Sequence, residues 1–193
     1  MKVGLYFGSF NPPHSGHTAI GLQAIEQFHL DEVWFIVSPQ NPFKPISMLA
    51  PEGDRMSMVQ IACSAHEKLI ASDVEFNMPR PSYTCATLRQ LTTEFTHHFH
   101  LIMGEDNWQS FHLWKEYEWI LHNFPVLIYH RSGATANPSI DQRLYASVKL
   151  IKGNLLHLSA TEIRQRLSAH ESVDNLINED VLHYIRDHHL YGQ

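Results

Sequence analysis

Residues 1–20 read MKVGLYFGSFNPPHSGHTAI, and their order decides the fold. An apolar run at 3–7 stops in a Gly, Ser, Asn and Pro loop, and two histidines follow at 14 and 17 around Gly16. A short apolar run bounded by turn residues reads as a buried strand. From Thr18 to Phe28 the pattern becomes helical: Ile20, Ala24 and Phe28 fall four apart with Ile25 beside them, while Gln23, Glu26 and Gln27 lie elsewhere. The opening is therefore strand, loop, helix, with the strand ending near Phe7 and the helix starting near Gly16.

The same alternation runs down the chain. KVGLYF from Lys2, EVWFIVS from Glu32, HFHLIM from His98, PVLIYH from Pro125 and NLLHL from Asn154 read as strands, with helical periodicity between them. This predicts an α/β fold, a doubly wound parallel sheet with helices on both faces. No repeat, low-complexity tract or linker interrupts residues 1–193, so one domain is expected, its part from about Ser159 helical and packed back on the sheet. In such sheets ligands lie beyond the carboxyl ends of the strands. The loop at 8–16 falls there, and a helix start offers amides and a positive dipole end to an anion. Gly8 lets a ligand approach the backbone, and Pro12 and Pro13 stiffen the loop. His14 and His17 project to one side and can donate to the phosphate oxygens of a nucleotide.

Charge narrows the partner. With 14 Lys plus Arg against 20 Asp plus Glu, a net charge of -6 and no basic tract, a polynucleotide is not expected. A small anion is compatible, because a few donors focused in a cleft outweigh the net charge locally. Cys63 and Cys85 lack metal spacing and cannot frame a disulfide scaffold, which suits a reducing cytoplasm. Pro12, Pro13 and His14 cut the first apolar run too short for a signal-peptide core or a membrane span. THHFH at 96–100 reads as the solvated start of a strand rather than a metal site, and His188 and His189 as a helix end.

A second motif lies near the C-terminus. In HLSATEIRQRL, at 157–167, Ser159 and Glu162 have capping-box spacing ahead of Ile163 and Leu167. Arg164 lies early enough in that helix to reach an anion with its planar fork of donors. An ordinary capped surface helix fits the same letters. Composition also matters for the first motif: with 15 histidines and 9 glycines, His-x-Gly-His arises by chance in about one such chain in twenty. Its place after the first strand is what separates it from chance.

At that place GSFNPPHSGH, residues 8–17, resembles the nucleotidyltransferase signature G-G-[ST]-F-[DN]-P-P-H-x-G-H, with Phe7 where the first glycine often lies. SATEIR at 159–164 resembles the same superfamily's I-S-[SA]-T-x-I-R, with Leu158 for Ile. RPSYTCATLRQL from Arg80 is similar to the P-S-Y-T-x-D-T-L segment of bacterial nicotinate-nucleotide adenylyltransferases, departing from it around Cys85. In SPQNPFKP from Ser38, Lys44 matches the lysine of that family's P-P-H-K stretch, with Phe43 for its histidine. LIMGEDNWQSFHLWKEYEWIL from Leu101 and VLHYIRDHHLY from Val181 resemble its G-x-D segment and its ending, so the resemblance spans Val3 to Tyr191.

The resemblance implies a Rossmann-like nucleotidyltransferase that moves AMP from ATP to nicotinate mononucleotide, giving nicotinate adenine dinucleotide and pyrophosphate, with Mg²⁺ accompanying ATP and no metal held by the protein. It implies catalytic roles for His14, His17, Lys44 and Arg164. Gly8, Ser9, Phe10, Gly16, Gly104, Asp106, Ser159 and Thr161 would join the histidines and Arg164 at ATP. Lys44, Tyr83, Thr84 and Trp114 would meet the mononucleotide, its carboxylate on backbone amides around Trp114. Asp106 reads as an acceptor for ribose hydroxyls or as a helix cap, and Trp114 as a pyridine contact or as core. The acceptor phosphate, with a second pKa of about 6, is already largely dianionic at neutral pH. Positioning and electrostatic donors therefore carry the reaction, without a protein nucleophile. A sister enzyme using nicotinamide mononucleotide or another phosphorylated acceptor, a non-catalytic nucleotide-binding domain and self-association into a homo-oligomer are all compatible with the sequence.

Overall fold

The first strand lies inside a six-stranded sheet of order β3-β2-β1-β4-β5-β6. In the computed structural model, which describes residues 1–40, 49–129, 147–152 and 159–193, the elements in chain order are β1 (Lys2–Gly8), α1 (Ser15–Phe28), β2 (Glu32–Val37), α2 (Glu52–Ser64), β3 (Leu69–Ser72), α3 (Thr84–Glu94), β4 (His98–Gly104), α4 (Glu105–Gln109), α5 (Tyr117–Asn123), β5 (Val126–Tyr129), β6 (Val148–Ile151), α6 (Ala160–Ser168) and α7 (Glu179–Asp187), with 3-10 turns at Phe111–Leu113 and Leu190–Gly192. Every neighbouring pair of strands is parallel. No helix among the described residues is long and apolar enough to cross a membrane.

Alternation along each strand sends side chains to opposite faces. Val3 and Leu5 join Leu101, Met103, Val126 and Ile128 under α3 and α5, which contribute Leu88, Leu91, Ile120 and Leu121. Tyr6 joins Phe35, Ile102 and Leu127 under α1 and α2, which contribute Ile20, Ala24, Val59 and Cys63. Both faces are covered, so the central strands read as continuous apolar runs. The doubly wound sheet predicted from the sequence is the one observed.

Four of the five expected strands are present. The fifth, NLLHL from Asn154, lies outside the described residues, and β3 and β6 were not foreseen. Each of these has four residues, sits at an edge of the sheet and is only partly buried, so it carries little periodic signal. The C-terminal part corrects a second expectation. Its apolar side packs on α2 rather than on the sheet: Ile163, Leu167, Val181, Leu182 and Ile185 meet Met58 and Ala62. α1 and α2 already cover that face, leaving the back of α2 as the open apolar surface. Ile163, Val181 and Ile185 are fully buried, each contributing roughly 1.5–3 kcal/mol of transfer free energy.

The strand order reverses between β1 and β4, which creates a crevice at their carboxyl ends. Gly8 closes β1 and Gly104 closes β4 at that crevice.

Candidate active site

Two cavities open at the crevice. The first, of about 500 Å³, is lined by Gly8, Ser9, Phe10, Asn11, His14, His17, Gly104, Asp106, Asn107, Ser159, Thr161 and Arg164, among others. It joins residues from both sequence motifs, which lie about 150 positions apart, because α6 docks beside the loop after β1: Arg164 Nη1 donates to the Asn11 carbonyl at 2.8 Å. Arg164 Nη2 donates to Thr161 Oγ1 at 3.2 Å. Both partners are neutral.

His14 is the N-cap of α1, and its ring stacks on His17 with centroids 3.6 Å apart. The His14 backbone N–H donates to His17 Nδ1 at 3.1 Å. An accepting Nδ1 carries no proton, so the neutral ring holds its proton on Nε2, the tautomer of a donor. Phe10 fixes the ring from the side, edge-on at 5.0 Å, and is itself held in the left-handed region at φ 44. A bulky residue there is strained by about 1–2 kcal/mol, offset here by burial against Tyr6 and Phe35. Ser9 is 7% exposed, and its Oγ has no hydrogen-bond partner among the described residues. A buried hydroxyl left unpaired on a cavity wall is placed where a ligand could accept from it.

One residue that sequence reasoning missed organises this loop. Arg55, 1% exposed, donates to the carbonyls of Ala50, Ser9, Ser38 and Pro39 at 2.7 to 3.0 Å. Burial lowers its pKa from the usual arginine range. The signal was available in the sequence: position 55 lies on the inward stripe of α2 with Met58, Val59, Ala62 and Cys63, where a solvated arginine has no place.

The second cavity, of about 200 Å³, is lined by Tyr83, Thr84, Trp114, Leu113, Lys115 and Glu75, and shares Phe7, Gly8 and Asn107 with the first. Tyr83 is the N-cap residue of α3 without a side-chain cap; the Ala86 and Thr87 amides donate to its carbonyl, while those of Thr84 and Cys85 precede the first bond of the helix. Lys115 Nζ lies 4.9 Å from the Tyr83 ring centroid. Glu75, 2% exposed, accepts from Ser82 Oγ at 2.7 Å and Thr87 Oγ1 at 2.8 Å, fixing the loop that carries Tyr83. It was not singled out in the sequence, where nothing local marks a loop glutamate as buried.

The remaining expected residues sort as follows. Gly16 is buried inside α1 and does not line the cavity. Lys44 lies outside the described residues, as do Phe43 and Leu158. The amides at the start of α1 are partly spent within the chain, Ser15 N–H on the Leu176 carbonyl and His17 N–H on the His14 carbonyl. Gly8 and Gly104 line the cavity, yet the space a side chain would take is filled by protein: a Cβ would sit 2.8 Å from the Phe10 ring at Gly8 and 2.7 Å from the Tyr129 hydroxyl at Gly104. Asp106 is not a cap, because Gly104 is the N-cap of α4. Ser159 Oγ does cap α6, accepting from Glu162 N–H at 3.1 Å, while the Glu162 carboxylate turns to Arg166. The Trp114 amide donates to Phe111, which removes it from the amides expected to meet a carboxylate, and its ring both packs on the core and lines the cavity. Cys85 is a core residue, its thiol pushed up by burial.

The sequence matches the cytidylyltransferase-like family over residues 5–166. It is 43% identical over 193 residues, 100% of this chain and 99% of that protein, to the probable nicotinate-nucleotide adenylyltransferase of Cytophaga hutchinsonii. The chain belongs to the nicotinate-nucleotide adenylyltransferase family. Another member, from Bacteroides thetaiotaomicron, is 39% identical, covering 97% of this chain and 92% of that one. The nicotinic acid mononucleotide adenylyltransferase of Plasmodium falciparum, whose structure is complexed with NaAD, superposes with a TM-score of 0.80 over 98% of this chain and 97% of that chain, at 20% identity. That likeness bears on the fold: this chain shares the Rossmann-like sheet of that structure. Membership makes the chain a nucleotidyltransferase.

Proposed function

We propose that the chain joins ATP and nicotinate mononucleotide across the wall shared by its two cavities. The observation that carries this reading is that wall: Phe7, Gly8 and Asn107 line both spaces, so a triphosphate in one and a phosphate from the other meet at the end of β1. An oxygen of the mononucleotide phosphate attacks the α-phosphorus of ATP, the bond to the β-phosphate breaks, and pyrophosphate leaves. The dinucleotide product keeps both phosphates as its bridge.

In this reading His17 donates from Nε2 to the transferring phosphoryl group, where charge develops. His14, Ser9 and Arg164 hold the triphosphate, and Ser159 and Thr161 close its far side. Asp106 meets the ribose. The start of α3 takes the nicotinate carboxylate with its amides and dipole, and Trp114 and Tyr83 flank the ring. Lys44 steers the incoming phosphate. Mg²⁺ accompanying ATP would supply positive charge to the phosphates. The whole chain acts as one domain, and its two buried free thiols suit the reducing cytoplasm.

Pyrophosphate release measured for ATP and CTP against a panel of phosphorylated acceptors tests the reading. ATP with nicotinate mononucleotide is expected to be fastest. An equal rate with nicotinamide mononucleotide would overturn the assignment of the acid, and no release with any pair would overturn the reaction.

A further inference from the structure

The two phosphate-gripping elements have separate origins: the histidines sit on the loop into α1 and Arg164 sits on α6. They meet directly where Arg164 bonds the Asn11 carbonyl, and an element that touches both would fix that junction. The final 3-10 turn touches both. Its Leu190 joins the α6 and α7 core, Gly192 lies against Ser168, and the Gln193 side chain donates to the Leu167 carbonyl of α6. From that base the Tyr191 hydroxyl donates to Asn11 Oδ1 in the histidine loop at 2.7 Å.

We propose that Tyr191 is a positioning residue for the polyphosphate cavity, acting through Asn11. Asn11 is the junction: its Oδ1 also accepts from Ala50 N–H at 3.0 Å, and its carbonyl holds Arg164 Nη1 at 2.8 Å. Tyr191 is absent from the cavity wall, whereas Asn11 is part of it. The backbone also points to a placed side chain. Tyr191 is in the left-handed region at φ 57, next to a second such residue two positions earlier, His189 at φ 51. A non-glycine residue keeps that conformation only where its surroundings over-determine it, and here the phenol bond and the α6 contacts do so from opposite sides. Burial keeps the phenol above its ordinary range, so it is a neutral donor throughout the working pH range. The second cavity includes neither Asn11 nor Tyr191, so the effect belongs to ATP alone.

The inference rests on reading the first cavity as the ATP site. It is tested with Tyr191→Phe, which keeps the ring and its packing, in the full-length protein. ATP binding is measured by calorimetry without acceptor, and KM is measured for each substrate in turn. ATP affinity is expected to fall three- to tenfold, the worth of one neutral hydrogen bond, with KM for nicotinate mononucleotide unchanged. Because the phenol acts through the Asn11 and Arg164 pair, Tyr191→Phe should cost little more when added to Arg164→Ala. ATP affinity within twofold of the unaltered protein, an equal rise in both KM values, or losses that multiply in the double variant would each overturn the role of Tyr191 while leaving the cavity assignment standing. An unaltered protein that binds no ATP would sink both.

Discussion

The two cavities that meet at the end of β1 are built on opposite electrostatic plans. In the larger, Arg164 donates to a carbonyl and a hydroxyl, and His17 Nδ1 accepts from a backbone amide, which on the proposed assignment leaves the guanidinium charge and the His17 Nε2 proton for a polyphosphate. The smaller is organised around a buried carboxylate, Glu75, whose oxygens are both occupied by hydroxyls of its own chain. On that assignment the first would bind through charge, with Arg164 held by neutral groups. The second would bind by shape, with the loop that carries Tyr83 held from behind by Glu75 and Trp114 packed on the core. Moving four negative charges calls for the former, and telling one flat ring from another calls for the latter.

Substitutions can break this division. The largest effect is expected for His17→Ala: turnover falls about a hundredfold or more, with both KM values moving little, as read by pyrophosphate release on protein whose circular dichroism is unchanged. Glu75→Ala leaves the Ser82 and Thr87 hydroxyls without their acceptor, and should cost about 2 kcal/mol of stability in urea unfolding while raising KM for the mononucleotide and not for ATP. A rise confined to ATP would reverse the proposed assignment of the two spaces. Trp114→Ala should raise KM for the mononucleotide about tenfold, the loss of one flanking aromatic, with ATP binding intact by calorimetry. Ser9→Ala is the mildest: ATP affinity should drop about threefold, one hydrogen bond lost at a site already rich in donors. No change there would mean that the buried hydroxyl meets no phosphate.

What could be read in advance differs between the same two regions. The larger cavity was legible because its geometry is written in local order: a strand, a Gly and Pro loop, histidines three apart, and a capped helix with an early arginine. The core of the sheet was legible for the same reason, through the short continuous apolar runs of β1, β4 and β5, strands buried on both faces. The supports behind the sites were not. Glu75 reaches Ser82 and Thr87 only after the chain turns, and Tyr191 reaches Asn11 across 180 positions, so neither leaves a spacing to recognise. Arg55 did leave one, an inward position on α2, but a charged letter suggests solvent until its carbonyl partners are in view. The packing of the tail was misplaced because a strip of apolar residues shows that something is covered and not what covers it.

Arg55 has a consequence for how an acidic protein attracts ATP. With a net charge of -6 the molecule repels polyanions at a distance. A guanidinium buried beneath the histidine loop and hydrogen-bonded to carbonyls there is screened less by dissolved ions than an exposed charge would be. Capture of the nucleotide should then weaken less steeply with added salt than capture by a surface cluster of lysines would.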